Sequence, residues 1–212
     1  MKINRSFAVG ASLLFVQIAI IFTVRTLSFP YVPLKNEPWK VRGNLHGNTF
    51  LVEFSDFSCI NCAKIQPVLK RLLADIPELR IIFKHFPSGE FSEVAAEASE
   101  CAGDEGKFWE YQDLLYAHQG QWLTEAKGSP TRNAGPPLLK LAQESGLDLE
   151  KFKSCLKSRS KKDVVEQNRS EGVAWLVDAT PTLNLDGKRI MTAKTYGELR
   201  DTIKKEVARK AQ

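Results

Sequence analysis

The chain has 212 residues, of which 43% are hydrophobic and 26% charged, a balance that suits a folded domain and excludes wholesale disorder. Its formal charge of +5 is not a nucleic-acid signal, because residues 1–28 hold Lys2, Arg5 and Arg25 and no acid. The remainder carries 27 basic and 25 acidic residues and is close to neutral, so no nucleic-acid partner is expected.

Phe7 to Val24 is a mainly apolar run of 18 residues, interrupted by Ser12, Gln17 and Thr23. It reaches the lower length limit of a membrane-spanning helix and exceeds the usual core of a signal peptide. Thr26 and Ser28 form only a weak cleavage site before Phe29, which favours an uncleaved anchor over residues 1–28. The leading basic residues stay in the cytoplasm. Residues from about 29 onward are then outside it, where disulfides persist.

Pro30, Pro33 and Pro38 make residues 29–44 read as an extended spacer. His46-Gly47-Asn48 is a turn that feeds a strand over Thr49–Phe54. Cys59-Ile60-Asn61-Cys62 then opens a helix, with apolar spacing from Ile65 to Ala74 and Pro67 inside it. Ile76-Pro77-Glu78 breaks that helix, and Leu79 to Phe86 reads as a second strand, parallel to the first. Ser92 to about Leu176 is helical: Glu93–Cys101, Phe108–Leu115, Leu138–Glu144, Leu149–Lys157 behind the N-cap Asp148, and Lys161–Ala174. A loop from Gly128 to Pro137 interrupts the block. The sheet returns as Thr182–Leu185 and Lys188–Met191 around Asp186-Gly187, a type I′ hairpin signal. Thr195 and Glu198 form a capping box for a last helix, Tyr196–Ala208.

A Cys-x-x-Cys at a strand-to-helix junction is either half of a zinc site or a redox dithiol. Zinc needs two further ligands, whereas Cys101 and Cys155 lie far apart and no His-x-x-x-His is near. The redox reading is preferred. Cys59, at the helix start, is the expected nucleophile, because the first turn's free N–H groups and the macrodipole favour a thiolate. Cys62, one turn further in, is the resolving thiol. Oxidising strength hangs on the Ile60-Asn61 dipeptide, in which Asn61 brings no positive charge to the pair, and the sequence alone does not set it.

Further residues extend the pattern: Pro67 in the helix, Thr180-Pro181 ahead of the hairpin, Glu53 six residues before Cys59, and Lys84-His85-Phe86-Pro87. Over residues 45–207 the chain resembles the DsbA-like thiol–disulfide oxidoreductases, a thioredoxin-fold family with a helical insertion. The resemblance implies an α/β, thioredoxin-like fold (β-α-β, then β-β-α). Its thioredoxin domain would be residues 45–90 and 177–209, with the inserted helical domain at 91–176. It also implies a cis bond at Thr180-Pro181, which leaves the Thr180 backbone free to pair with an extended substrate peptide. Glu53 becomes a buried acid serving Cys62. The plainer alternatives are a carboxylate satisfied by Lys84 or one on an exposed face.

An even cysteine count outside the cytoplasm argues that Cys101 and Cys155 form a structural disulfide, worth about 4 kcal/mol on the chain-entropy model. Two reduced core cysteines, or a second redox relay, are the alternatives. Asp56 reads as a surface or turn residue and His85 as a structural histidine. The seven basic residues of Lys151 to Arg169 read as a solvated face, and Phe108, Trp109, Tyr111 and Trp122 as core.

The expected protein is an enzyme that introduces disulfides into thiol-containing protein substrates. Its catalytic domain would lie in the periplasm or cell exterior, on a single-pass anchor in the bacterial inner membrane. By resemblance, a membrane quinone-linked partner reoxidises it, and no cofactor or metal is bound. A reductase or isomerase on the same fold is the alternative, though residues 29–44 are too few for the dimerisation domain of a DsbC-type isomerase. A copper-binding module using the two thiols is the alternative of another class.

Overall fold

Strand β2 (Thr49–Ser55) is apolar on both faces apart from Glu53 and the terminal Thr49 and Ser55, and is buried along almost its whole length, as a central strand must be. It runs parallel to β3 (Leu79–His85), with Glu53 opposite Phe83 and Ser55 opposite His85. On its other edge it pairs antiparallel with β4 (Thr182–Leu185), and β4 pairs antiparallel with β5 (Lys188–Ile190). A short strand, β1 (Val41–Gly43), pairs antiparallel with β3 and completes a five-stranded sheet of order β1-β3-β2-β4-β5. This computed structural model describes residues 34–35, 37–129, 135–190 and 195–212. The apolar run Phe7 to Val24 lies outside the described residues, and among those described no helix is long and apolar enough to cross a membrane.

Eight helices accompany the sheet among the described residues. They are α1 (Ile60–Asp75), α2 (Glu90–Gly103), α3 (Phe108–Ala117), α4 (Gln119–Gly128), α5 (Gly135–Glu144), α6 (Leu149–Ser158), α7 (Lys162–Ala174) and α8 (Tyr196–Lys210). This is the thioredoxin-like order with a block of helices set between β3 and β4. Asp148 caps α6 by accepting from the N–H groups of Glu150 and Lys151, and Thr195 with Glu198 forms the capping box of α8. Asp186 and Gly187 both have positive φ, 48° and 84°, as a type I′ turn requires.

Two apolar clusters divide the interior. Leu51, Ile81, Leu183 and Leu185 pack with Leu69 and Leu72 of α1 and with Leu199 and Ile203 of α8. Phe57, Cys62 and Phe83 join the helical block through Phe108, Tyr111, Trp122 and Phe152. Helix α7 approaches the sheet at Gly172, where a Cβ would sit 2.5 Å from the Phe86 ring, so only glycine fits there. A disulfide, Cys101–Cys155, ties α2 to α6.

Residues 37–43 depart from the spacer expected there. Pro38–Lys40 forms a 3₁₀ turn and β1 follows it directly. The cause is a buried ion network. Glu37 Oε2 lies 2.6 Å from Lys84 Nζ, and Lys40 Nζ lies 2.8 Å from Glu37 Oε1 and 2.6 Å from Glu100 Oε1. Lys84 also pairs with Glu171 at 2.8 Å, and Asn168 accepts from Lys40 Nζ at 2.7 Å while donating to Glu37. Glu37, Lys40 and Lys84 are at most 1% exposed. Burial raises the Glu37 pKa, but Lys40 and Lys84 beside it outweigh that and hold the carboxyl below its ordinary range. A three-residue strand carries no period to read, and the charges that hold it meet only after the chain has folded.

The basic run from Lys151 is largely met by carboxylates: Lys153 pairs with Glu150 and Arg159 with Glu97. Lys161 pairs with Asp104 and Arg169 with Glu93.

Candidate active site

Alternation along β2 places Glu53 and Ser55 on one face, toward α1 and α3. The chain then turns through Asp56, Phe57 and Ser58 into Cys59. Cys59 leaves the helical region (φ −83°, ψ 119°) and so becomes the N-cap of α1, its sulfur accepting from the Cys62 N–H at 3.4 Å. Cys59 is partly exposed and Cys62 fully buried, and both are free thiols. The Cys59 thiol donates to the Thr180 carbonyl at 3.3 Å. The Thr180–Pro181 peptide bond is cis. Residues about 120 apart in sequence are thereby brought together at the helix start.

Behind the dithiol lies a buried polar chain. Glu53 is 1% exposed, and its Oε1 accepts from Ser55 Oγ and from Gln66 Nε2, each at 2.8 Å. Gln66 Nε2 also donates to the Cys62 carbonyl at 3.1 Å, and Gln66 Oε1 accepts from Gln112 at 3.0 Å. Burial pushes the Glu53 carboxyl up to about 7, with the Ser55 and Gln66 hydrogen bonds and Arg42 only partly opposing it. Burial also drives the Cys62 thiol far above the ordinary thiol range. Lys84 plays no part here, since it is committed to Glu37 and Glu171. Adjacent residues on a strand point to opposite faces, and Lys84 pairs in register with Phe54, not with Glu53.

Asp56 is not on the surface. It is 1% exposed: Oδ1 accepts from the Ser58 N–H at 2.6 Å and its hydroxyl at 2.8 Å, and Oδ2 accepts from the Ser88 N–H at 2.8 Å and its hydroxyl. It thus ties the cysteine loop to the segment after β3. His85 is structural, its Nε2 lying 2.8 Å from Glu100 Oε1. Among the described residues no group of three His, Cys, Asp or Glu side chains is placed to hold a metal ion.

Sequence reasoning missed Ser55, Gln66, Tyr116 and Gln119. Two of these had a signal: Ser55 is two residues from Glu53 on a strand, and Gln66 is one helical turn from Cys62. Tyr116 and Gln119 had none, because they arrive from the helical block. Gln119 Nε2 donates to the carbonyls of Phe57, at 2.8 Å, and of Cys59, at 2.9 Å. Gln119→Ala removes both bonds and is expected to cost about 1–2 kcal/mol. A lower urea midpoint at unchanged slope would show this, and an unchanged midpoint would contradict it.

The family model described as thioredoxin matches residues 35–205. The chain belongs to this thioredoxin family. A Na(+)/H(+) antiporter NhaA 1 from Salinispora arenicola is 34% identical over 161 residues, covering 74% of this chain and 23% of the relative. The chain therefore spans about a quarter of that relative's length, and the transport in its name is not carried over. A probable disulfide bond formation protein D from Bacillus anthracis is 27% identical over 170 residues, covering 74% of this chain and 73% of the relative. Among solved structures, alpha-DsbA1 from Wolbachia pipientis superposes with a TM-score of 0.71 at 17% identity, covering 86% of this chain and 98% of that one. The DsbA-like form of the thioredoxin fold, with its helical block between β3 and β4, is the fold of this family member.

Proposed function

We propose that this thioredoxin-family chain is an extracytoplasmic thiol–disulfide oxidoreductase that introduces disulfides into thiol-containing protein substrates. The observation that carries the reading is the asymmetry of the dithiol. Cys59 sits partly open at a helix N-terminus, against the Thr180 carbonyl, while Cys62 is sealed behind it beside Glu53 and Ser55.

In the oxidised enzyme, a substrate thiolate attacks Cys59 Sγ. A mixed disulfide forms, the Cys59–Cys62 bond breaks, and Cys62 leaves as a thiolate that takes up a proton. A second substrate thiolate then attacks the substrate sulfur of the mixed disulfide and expels Cys59. The substrate leaves oxidised by two electrons and the dithiol is reduced. Glu53, near 7, can give or accept the Cys62 proton at neutral pH. Thr180 offers backbone groups to an extended substrate segment next to Cys59. Reoxidation falls to a membrane quinone-linked partner, and residues 1–28 serve as the membrane anchor. The Bacillus relative named for disulfide bond formation supports the oxidising direction.

The test is equilibration of the dithiol in glutathione buffers, with the Cys59–Cys62 state read after acid quench and alkylation. A potential near −120 mV supports the oxidase, and one near about −270 mV indicates a reductase. A dithiol that does not exchange at all rules out the enzyme.

A further inference from the structure

Gln66 lies one turn past Cys62 on α1, is buried, and has its side-chain amide engaged at both ends. An amide nitrogen has two protons to give and none to receive. One goes to Glu53 Oε1 at 2.8 Å and the other to the Cys62 carbonyl at 3.1 Å. The amide oxygen accepts from Gln112 Nε2, on α3, at 3.0 Å. Turning the amide over would set its oxygen against two acceptors and its nitrogen against a donor, so its orientation is fixed. A single planar group thus spans the acid, the backbone of the resolving cysteine and the helical block.

Among the described residues, both hydrogen bonds that Glu53 accepts fall on Oε1, from Ser55 Oγ and from Gln66 Nε2. They fill the lone pairs of that oxygen, so the proton that Glu53 takes up is carried on Oε2. In register beside Glu53 stand Phe83 of β3 and Leu183 of β4, which offer nothing to a charge. The titratable groups that face it are Arg42 of β1, Cys62 of α1 and Tyr116 of α3. Arg42 is committed to Asp113 at 2.9 Å, and burial keeps the Cys62 thiol and the Tyr116 phenol protonated. Direct support for the carboxylate comes from Ser55 and Gln66.

We propose that Gln66 is a positioning residue that sets the pH at which Glu53 exchanges its proton, with Gln112 of the helical block holding the Gln66 amide in its donating orientation. The proposal rests on the reading of Glu53 as the acid that serves Cys62. A donor on Oε1 stabilises the ionised carboxylate more than the neutral acid, so the Gln66 N–H opposes the effect of burial. The balance leaves the carboxyl near 7, where it can both take and return a proton at neutral pH. Without Gln66 one of the two donors is gone, and burial keeps the acid protonated at neutral pH. A protonated Glu53 has no place for the Cys62 proton.

The test titrates the reduced full-length chain by NMR across pH 5–9, with isotope labels on glutamate carbon and glutamine nitrogen. Glu53 Cδ should move with a midpoint near 7, and the Gln66 side-chain amide should move with it. Gln66→Leu should raise the Glu53 midpoint by about one pH unit. Gln112→Leu, which removes only the hold on the amide, should raise it less. The kinetic counterpart mixes each reduced protein with oxidised glutathione and follows decay of the Cys59–glutathione mixed disulfide by acid quench and mass measurement. Its limb near pH 7 should follow the Glu53 midpoint, so Gln66→Leu is slowed about fivefold at pH 7 and recovers by about pH 9. A Gln66→Leu protein with a lower urea midpoint but an unmoved Glu53 titration has lost only structure, and overturns the proposal. In the wild-type protein, a Gln66 amide that stays still while Glu53 titrates overturns it without any variant. A limb that persists in Glu53→Gln overturns the reading of Glu53, and this proposal with it. A limb lost in Glu53→Gln but unshifted in Gln66→Leu overturns the role of Gln66 alone.

Discussion

Glu53→Gln is expected to stabilise the reduced protein at pH 8 by about 3 kcal/mol and to leave it unchanged at pH 4. The Glu53 carboxyl rises from an ordinary 4.5 to about 7 because burial penalises its charged form. Between those two values the folded state binds the proton more strongly than the unfolded state does. Stability therefore falls as pH rises through the window, and the full cost of the buried charge is present above it. Below about 4.5 the carboxyl is neutral in both states and the cost vanishes. Glutamine keeps an Oε1 that can accept from Ser55 and Gln66, so the hydrogen bonds survive while the charge does not. Denaturant melts of the two proteins at both pH values make the comparison. Equal stabilities at pH 8 would show that the carboxylate is not buried at a cost.

Lys84→Met should have the opposite sign and a larger size, a loss of about 3–5 kcal/mol at neutral pH and a fall in Tm of roughly 10 °C. Lys84 Nζ reaches Glu37 and Glu171 and also donates to the Lys35 carbonyl at 3.0 Å. Methionine fills the volume but leaves two buried carboxylates short of a cation. Adding Glu37→Gln to Lys84→Met should restore part of the loss, a coupling that a double-mutant cycle measures directly. Additive effects would show that the pair is not coupled. The network also has a pH signature. Burial raises the carboxyl of Glu37, but Lys40 and Lys84 hold it low. Burial likewise raises that of Glu100, but His85 and Lys40 hold it low. Their contribution is complete above the ordinary carboxylate value and is lost as pH falls through the depressed ones. The sign is opposite to that of Glu53, so acid weakens the network while it relieves the strand behind the dithiol.

Local patterning made most of the fold legible: the continuous apolar run of β2, the Asp186-Gly187 turn, the capping box of Thr195 and Glu198, and the helical spacing from Phe108 to Leu115 all describe nearest neighbours along the chain. The dithiol, Pro67 and Thr180-Pro181 were legible for another reason, since their order along the chain is itself a pattern. What stayed hidden depends on contacts between distant segments. Lys84 could equally have served Glu53 or Glu37, and only the parity of its strand position against the neighbouring register decides for Glu37. Asp56 looks like a turn residue, which it is, but its burial comes from Ser88, 32 residues away. Gln119 and Tyr116 give no local sign of the site, because their partners lie about 60 residues back along the chain.

The helices between β3 and β4 cannot be excised as an independent module. A minimal protein made by joining the two sheet-bearing segments would retain both cysteines, Glu53 and Thr180-Pro181. It would lose the Tyr116 O–H on Ser55, the Gln112 amide on Gln66 and both Gln119 bonds to the cysteine loop. Such a truncation would expose Glu53 to solvent and return its carboxyl toward ordinary acidity. Grafting the four-residue cysteine motif onto a smaller scaffold would likewise transfer the two thiols without the buried carboxyl that lies behind them.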